Sequence, residues 1–301
     1  MSGAFAAGIF VAILGALLWM RGPASGYAAL DPLVKAAWGP LLGPSARTIV
    51  FVASPGHLFV RRLPGDSLEI EAGGRRIPGY ELPPSTDLRE WYFGRYPEIP
   101  GTKPYLIPTH NSLLWGDASG ALAAVGLLAR SGTPYEIVPE RASTAFTLRD
   151  RNAVVFGRPE YSPAAELLLA NKPMTIEYSA AARQFVIKVS CGSAAGKQYT
   201  DSAIEVGRPR DDNRYGLITV LSSGNQSRRT RTVLFSGLAS TGTQAAAEFF
   251  CSGDSLRLLA AKFKAEGING FPRSYQVLLR ARAVAILPVD VEYVSHCVIE
   301  R

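Results

Sequence analysis

The residues best suited to bind a ligand lie in a loop between an apolar strand sequence and a helix sequence. Here Ser240, Thr241, Gly242 and Thr243 combine hydroxyl groups with a glycine at the predicted helix start. Backbone N–H groups and hydroxyls at such a position can bind an anion. The loop is not a Walker A sequence, because no lysine follows Gly242, and it lacks the GxGxxG pattern. The loop is therefore a candidate site for a small anionic ligand, and helix capping by Ser240 or Thr241 explains it equally well.

Two other turns have a similar character. GDASG precedes a helix sequence at Gly116, and GRPEYSP joins a strand sequence to a helix sequence from Gly157. Three strand-to-helix loops at one edge of a sheet would form the crevice in which open α/β folds bind ligands.

Other catalytic patterns are missing from the sequence. No GxSxG nucleophile elbow occurs, and His57, His110 and His296 lack a second ligand at metal spacing, apart from the adjacent His296 and Cys297 on opposite strand faces. The acidic pair Asp211–Asp212 lies among arginines and indicates a surface loop. We predict a non-enzymatic protein without a metal or cofactor.

Basic residues outnumber acidic ones, giving a formal charge of +7 and a pI near 9.4. They are too scattered for a nucleic-acid footprint and suit an anionic membrane surface or an acidic partner. The densest patch, Arg228, Arg229 and Arg231, is predicted to be a solvated strand edge, with a phosphate or acidic partner as the alternative. The cysteines Cys191, Cys251 and Cys297 lack disulfide or metal spacing, so we expect them to be buried and reduced.

The first 22 residues are predicted to form a transmembrane helix. Their apolar stretch would extend roughly 27 Å at about 1.5 Å per residue, against a bilayer core of about 30 Å. Small residues including Gly8, Ala12 and Gly15 would allow close packing with helices of partner subunits, and Trp19 would also contact a partner or the membrane. No positive n-region precedes the stretch, which disfavours a cleaved signal peptide.

Charge around the span predicts the side on which the body lies. No Lys or Arg precedes it, whereas Arg21, Lys35 and Arg47 follow. The positive-inside rule therefore predicts an inner-membrane protein with a cytoplasmic body, and a periplasmic body is the alternative. The segment 23–47 is predicted to be an interfacial helix or linker with Tyr27 and Trp38 at headgroup depth, or a segment docked on the body.

From residue 48 onward the pattern predicts an α/β body, with two lobes at 48–170 and 171–301 as one division. Continuous apolar strand sequences alternate with helix sequences, which indicates a mostly parallel sheet between helices with antiparallel additions. Asp117 and Ser162 are predicted helix N-caps, and Gly132 a helix stop. Predicted strands are 48–53, 57–63, 67–73, 104–108, 134–140, 152–157, 174–179, 183–191, 216–223, 231–237 and the β region 274–299; predicted helices are 116–132, 162–173, 240–253 and 254–267.

The order of these segments resembles an uncharacterised family of bacterial membrane proteins. The similar segments are 31–55, 116–132, 148–168 and 231–250, so the resemblance covers roughly Asp31 to Gly267. In that family a winged-helix domain precedes the span and an α/β module without established activity follows it. The resemblance implies an α/β module outside the cytoplasm. No winged-helix sequence precedes the span here, so a transcriptional role is not expected.

These observations predict a non-catalytic, membrane-anchored accessory subunit of a larger membrane complex. Integral membrane subunits would be its partners, and a photosynthetic reaction-centre and antenna complex is the assembly we expect. The alternative is a membrane-anchored sensor that binds the small anionic ligand at the strand-to-helix loops.

Overall fold

The computed structural model of the protein describes residues 26–64, 69–72, 75–78, 80–81, 100–109, 113–140, 148, 151–202, 212–223, 229–284 and 286–300. These residues divide into two compact units. One unit contains the described residues up to Ala53 and from Trp115 onward, and the other lies between Ser54 and Leu114. The predicted span at 1–22, including Gly8, Ala12, Gly15 and Trp19, lies outside the described residues. Within them, no helix is long and apolar enough to span a bilayer.

The described helices are α1 (Pro32–Trp38), α2 (Trp115–Arg130), α3 (Pro163–Leu169), α4 (Ser240–Cys251) and α5 (Gly253–Ala265). The strands are β1 (Thr48–Val52), β2 (His57–Pro64), β3 (Glu69–Ala72), β4 (Arg75–Pro78), β5 (Tyr80–Glu81), β6 (Thr102–Thr109), β7 (Tyr135–Pro139), β8 (Asn152–Phe156), β9 (Met174–Ser179), β10 (Gln184–Val189), β11 (Gln198–Tyr199), β12 (Asp212–Ser223), β13 (Thr230–Gly237), β14 (Ser274–Val284) and β15 (Leu287–Glu300).

A seven-stranded mixed sheet organises the larger unit, in the order β15-β14-β12-β13-β8-β1-β7. Strands β13, β8, β1 and β7 are parallel, and β12, β14 and β15 are added as antiparallel strands. A small sheet, β11-β10-β9, belongs to the same unit, whereas β2 to β6 form two small sheets in the other. The predicted α/β class with a mixed sheet is therefore confirmed.

Both faces of β1, of β8 and of the second part of β13 are buried, which explains their continuous apolar sequences, whereas the edge strand β7 is mostly exposed. In β1, Val50 and Val52 point into a core with α1, α2, α4 and α5, whereas Ile49 and Phe51 point into a second core with α3, β9 and β10. Strands from both predicted lobes, 48–170 and 171–301, build this one sheet, so that division is not the one observed.

Several local signals act as the sequence predicts. Ser162 caps α3 by accepting a hydrogen bond from the Ala165 N–H at 3.0 Å, and Pro163 occupies the first helical position. Gly132 ends α2 with a left-handed φ of 67°. The β9–β10 hairpin forms through the predicted turn, and Pro288 lies on the edge strand β15. Asp117 is a correction, because α2 begins at Trp115 and places it inside the first turn.

The segment predicted to lie at the membrane interface is docked on the body instead. Trp38 is fully buried in the first core, where its ring packs 5.4 Å from that of Phe250. Its indole Nε1 donates a hydrogen bond to the Phe250 carbonyl at 2.9 Å. Trp38 therefore cannot contact lipid or a partner subunit, because the apolar face of α1 completes the core. Tyr27 remains exposed.

Arg231 also has a structural role that corrects the predicted basic patch. Its Nη1 donates to the carbonyls of Ala37 and Ala36 at 2.6 and 3.3 Å, at the carboxyl end of α1. A cation there satisfies free carbonyls and complements the helix dipole. Gly39, with φ of 53°, gives the guanidinium room, since a Cβ at that position would lie 2.9 Å from Nη1. Arg229 is exposed, and Arg228 lies outside the described residues.

Two of the three cysteines are paired, contrary to prediction. Cys191 and Cys297 form a disulfide with Cα atoms 5.9 Å apart, within the usual range. It joins the segment after β10 to β15 across 106 residues of sequence. Cys251 is free, and burial raises the pKa of its thiol to about 12.

We predict that Trp38→Ala lowers the free energy of unfolding by about 3–5 kcal/mol, because it removes a buried indole and leaves a cavity. Urea titration of the full chain in mild detergent measures the change. The control is Trp115→Ala, whose side chain is 60% exposed, with an expected loss under about 0.5 kcal/mol. Equal losses for the two variants would contradict the docking of α1.

We also predict that only one cysteine reacts with an alkylating reagent when the denatured chain is not reduced, and all three react after reduction. Mass spectrometry counts the labels. Loss of the disulfide should lower the free energy of unfolding by about 2–5 kcal/mol, because the open chain gains conformational entropy. The matched control, Cys251→Ala, should retain its sensitivity to reductant. Three labels without reductant would contradict the pairing.

Candidate functional site

The order of the parallel strands reverses between β1 and β8. From β1 the chain proceeds through α2 to β7 on one side, whereas β8 lies on the other side of β1 and precedes α3. The two helices cover opposite faces of the sheet, since α2 belongs to the first core and α3 to the second. In open α/β folds ligands bind outside the carboxyl ends of strands at such a switch point.

A hydrogen bond between side chains links the two faces at this point. Tyr161, in the loop from β8 to α3, donates its hydroxyl proton to Asp117 Oδ2 at 2.9 Å. Asp117 lies in the first turn of α2 and is 0% exposed. Burial raises its pKa from 3.8 to about 6, against the lowering effects of Tyr161, Thr243 and Arg158. The Thr243 hydroxyl therefore lies close enough to the Asp117 carboxyl to interact with it.

Arg158 follows β8 directly and is the cation of the cluster. Its guanidinium donates to the Leu238 carbonyl after β13 and forms an ion pair with Glu160. It also lies 4.8 Å from the ring centroid of Phe185 and 5.6 Å from that of Tyr161, within cation–π range. Burial lowers its pKa, and the nearby Tyr161 and Asp117 oppose the shift. Its side chain is 17% exposed, so solvent reaches it.

Glu140 brings the end of β7 to the same edge. Its Oε1 accepts hydrogen bonds from the Ala164 N–H at 2.8 Å and from the Ser162 hydroxyl at 3.1 Å. Burial raises the pKa of this carboxyl, and the two hydrogen bonds partly offset the rise. Carboxyl ends of β7, β8 and β13 are thus joined by polar side chains.

Most of the unpartnered buried polar atoms are concentrated here. Seven buried side-chain nitrogen or oxygen atoms of the described residues lack a hydrogen-bond partner. Five of them belong to this edge: Asp117 Oδ1, Glu140 Oε2, Arg158 Nε, Thr243 Oγ1 and Gln244 Oε1. Each such atom costs about 1–3 kcal/mol, so natural folds keep few of them without a functional reason.

The predicted loop reaches this edge, and part of it is used within the fold. Ala239 is the N-cap of α4, and neither Ser240 nor Thr241 caps the helix with its side chain. Thr241 donates its hydroxyl proton to the Ile286 carbonyl at 3.1 Å. Gly242 packs against the backbone of β12, where a Cβ would lie 2.2 Å from the Tyr215 carbonyl oxygen. Thr243 Oγ1 is buried without a hydrogen bond of good geometry.

The remaining candidate residues are structural or lie elsewhere. His296 contacts the Tyr293 hydroxyl at 2.6 Å and Glu266 Oε2 at 3.2 Å through its two ring nitrogens. His57 Nδ1 lies 3.0 Å from the Pro55 carbonyl, and His110 lies outside the described residues. The part of the chain that the structure describes contains no group of three His, Cys, Asp or Glu side chains suited to a metal.

Sequence reasoning did not identify the central site residues. Asp117 was predicted to be a helix cap, and Arg158, Tyr161 and Glu140 had no predicted role. The turns GDASG and GRPEYSP contain three of these four residues, and both were singled out as loops of one sheet edge. Their polar side chains were therefore the available signal.

A cavity of about 880 Å³ opens at the amino ends of β1, β7 and β8. Its lining includes Arg47, Glu136, Arg151 and Asn152. None of the unpartnered buried atoms counted above belongs to this lining. The carboxyl edge therefore remains the stronger candidate.

Comparison of the chain with protein-family models, with curated proteins and with solved structures finds no match in any of the three. The family resemblance described above remains a prediction.

We predict that Asp117→Asn flattens the pH dependence of stability. In the wild type the pKa of Asp117 is about 6 in the folded state and near 3.8 in the unfolded chain, so the folded state binds more protons between these values. The contribution of Asp117 to the free energy of unfolding is thus greatest below about pH 4 and is lost as pH rises through 6. The loss is on the order of 3 kcal/mol, at about 1.4 kcal/mol for each unit of pKa difference.

Urea titrations of both proteins at intervals from pH 4 to pH 8 measure this difference. The free energy of unfolding of the variant should rise relative to that of the wild type as pH rises, and it should be the larger of the two near pH 8. The reason is that the amide keeps an acceptor for Tyr161 without a buried charge. A difference that is constant across the range would contradict the buried, protonated carboxyl.

Proposed function

We propose that the protein is a membrane-anchored module whose α/β body binds a small polar molecule at the carboxyl edge of its parallel strands. The observation that carries the proposal is the set of five unpartnered buried polar atoms at a topological switch point. A shifted pKa at the same place is also typical of functional sites. The anchor rests on the sequence of residues 1–22.

The charges of the cluster favour a ligand that donates hydrogen bonds over the predicted anion. Asp117, Glu140 and Glu160 are acidic, and Arg158 is their cation. Three of the unpartnered atoms are carboxyl or amide oxygens, which accept hydrogen bonds. A neutral or amine-bearing ligand would satisfy them, and an oxygen of the same ligand could accept from Arg158 Nε.

The disulfide supports a body outside the cytoplasm. Disulfides persist in oxidising compartments and are rare where thioredoxin and glutathione keep thiols reduced. Cys191 and Cys297 are paired, so a periplasmic body is favoured over the cytoplasmic one predicted from Arg21, Lys35 and Arg47. The family resemblance implies the same side.

The prediction of a non-catalytic accessory subunit, including its photosynthetic assembly and integral membrane partners, is not tested by the described residues and stays a prediction. Of the two functions predicted from sequence, the ligand-binding module is the one that the polar cluster favours.

The experiment is a thermal-shift screen of the full chain in mild detergent with a library of polar metabolites, including ethanolamine as an amine probe and inorganic phosphate as an anion probe. We expect binding of amine-bearing or neutral compounds to raise the melting temperature. Tyr161→Phe and Arg158→Gln should weaken binding about tenfold each, as expected for loss of one hydrogen bond to a charged group.

The matched control is Arg257→Gln, which removes a guanidinium from the exposed surface of α5 and should leave binding unchanged. No shift with any compound, or shifts that persist in both site variants, would refute the proposal. Binding of phosphate that depends on Arg158 would instead support the anion predicted from the sequence.

A further inference from the structure

The chain between the predicted span and the body is short. The span is predicted to end at residue 22, and the described structure begins at Gly26. Four residue steps extend at most about 14 Å, at roughly 3.5 Å per residue. The headgroup layer on each side of the bilayer core is about 5–8 Å thick. With the predicted span at residues 1–22, Gly26 would lie at the membrane surface or directly above it.

The segment that follows leaves the body little freedom to move away from that surface. Asp31 caps α1 by accepting from the Leu33 N–H at 2.7 Å, and Trp38 anchors the other end in the core. Asp31 also contacts Arg257 of α5 at 3.4 Å. Because α1 is fixed to α5, the position of Gly26 determines which face of the body is nearest the bilayer.

That face has the composition expected of a membrane contact. Residues 26–29 are exposed and mostly apolar, and Tyr27 lies under the Lys35 ammonium at 5.4 Å from its ring centroid. Arg257 and Lys264 are exposed on α5 and lie seven residues apart on the same helix face. Tyrosine is enriched at membrane interfaces, and Lys and Arg are attracted to anionic headgroups.

We propose that the membrane-facing surface of the body, consisting of residues 26–29 and the exposed side of α1 and α5, lies on the bilayer that holds the span. The inference rests on the anchored module proposed above. It places the β9–β10 hairpin on the far side, because that hairpin packs with the second core across the sheet. The bilayer with anionic headgroups is the partner.

The experiment uses the full chain in nanodiscs of phosphatidylcholine and phosphatidylglycerol. Single fluorophores are attached through Ala28→Cys, Ala261→Cys or Ala180→Cys in a Cys251→Ala background. All three alanines are exposed, and Ala180 lies in the β9–β10 turn, so it is the matched control. Nitroxide on the lipid headgroups then quenches fluorophores near the surface.

We expect quenching at positions 28 and 261 to be at least about threefold stronger than at position 180. A sheet and a packed layer, each about 10 Å thick, separate position 180 from the other two. Equal quenching at the three positions, or quenching at 28 without 261, would overturn the membrane-facing surface while leaving the anchor in place. Failure of the chain to float with lipid vesicles would overturn the anchor as well. The ligand screen above needs no lipid and is judged separately.

Discussion

Direct backbone contact between helix starts and strands determines the shape of this edge of the sheet. A Cβ at Gly116 would lie 2.0 Å from the Ser240 carbonyl oxygen, and one at Gly216 would lie 2.3 Å from that of Gly242. Side chains at these glycines would push α2 and α4 away from each other and from β12. Because these positions are glycine, Asp117 and Thr243 of the two first turns come close enough to interact. The polar cluster depends on this approach.

The same approach has a thermodynamic consequence. It buries a carboxyl at the start of a helix, where the dipole favours a negative charge, yet burial still raises the pKa of Asp117. Desolvation therefore outweighs the lowering effects of Tyr161, Thr243 and Arg158 together. A fold selected for stability alone would place an apolar residue or an amide there. A buried group that lowers stability in this way is typical of sites at which a bound ligand supplies the missing hydrogen-bond partner.

Local rules account for much of the fold that could be predicted. The Ser162–Pro163 signal starts α3, and the all-apolar sequence of β1 indicates a strand buried on both faces. The burial of Trp38 was harder to predict, because an apolar helical stripe after a predicted span can face either lipid or a protein core. Its partner Phe250 is 212 residues away, and no local pattern indicates that contact.

Neither the disulfide nor the candidate site could be predicted from the sequence. The reason is the same for both, because each depends on contacts between residues that are far apart in the chain. Cys191 and Cys297 are 106 residues apart, and only the packing of β15 beside the segment after β10 brings them together. The loop at Ser240–Thr243 lies at the edge where the polar cluster forms, and its Thr241 hydroxyl and Gly242 backbone contact other parts of the fold. The chemistry comes from side chains of neighbouring loops, whose proximity depends on strand order.

The helix α4 connects the two regions on which the proposals depend. Thr243 and Gln244, near its start, have unpartnered atoms at the switch point. Phe250, near its end, accepts the hydrogen bond of Trp38, and α1 leads back to the predicted span. A ligand that satisfies Thr243 and Gln244 would change the forces on the first turn of α4. Because a packed helix moves as a rigid body, a displacement there would reach Trp38 at its other end. Contact alone does not establish coupling, which requires two arrangements of the helix that the ligand binds unequally. For a sensor of this architecture, α4 is the element in which those two arrangements must differ.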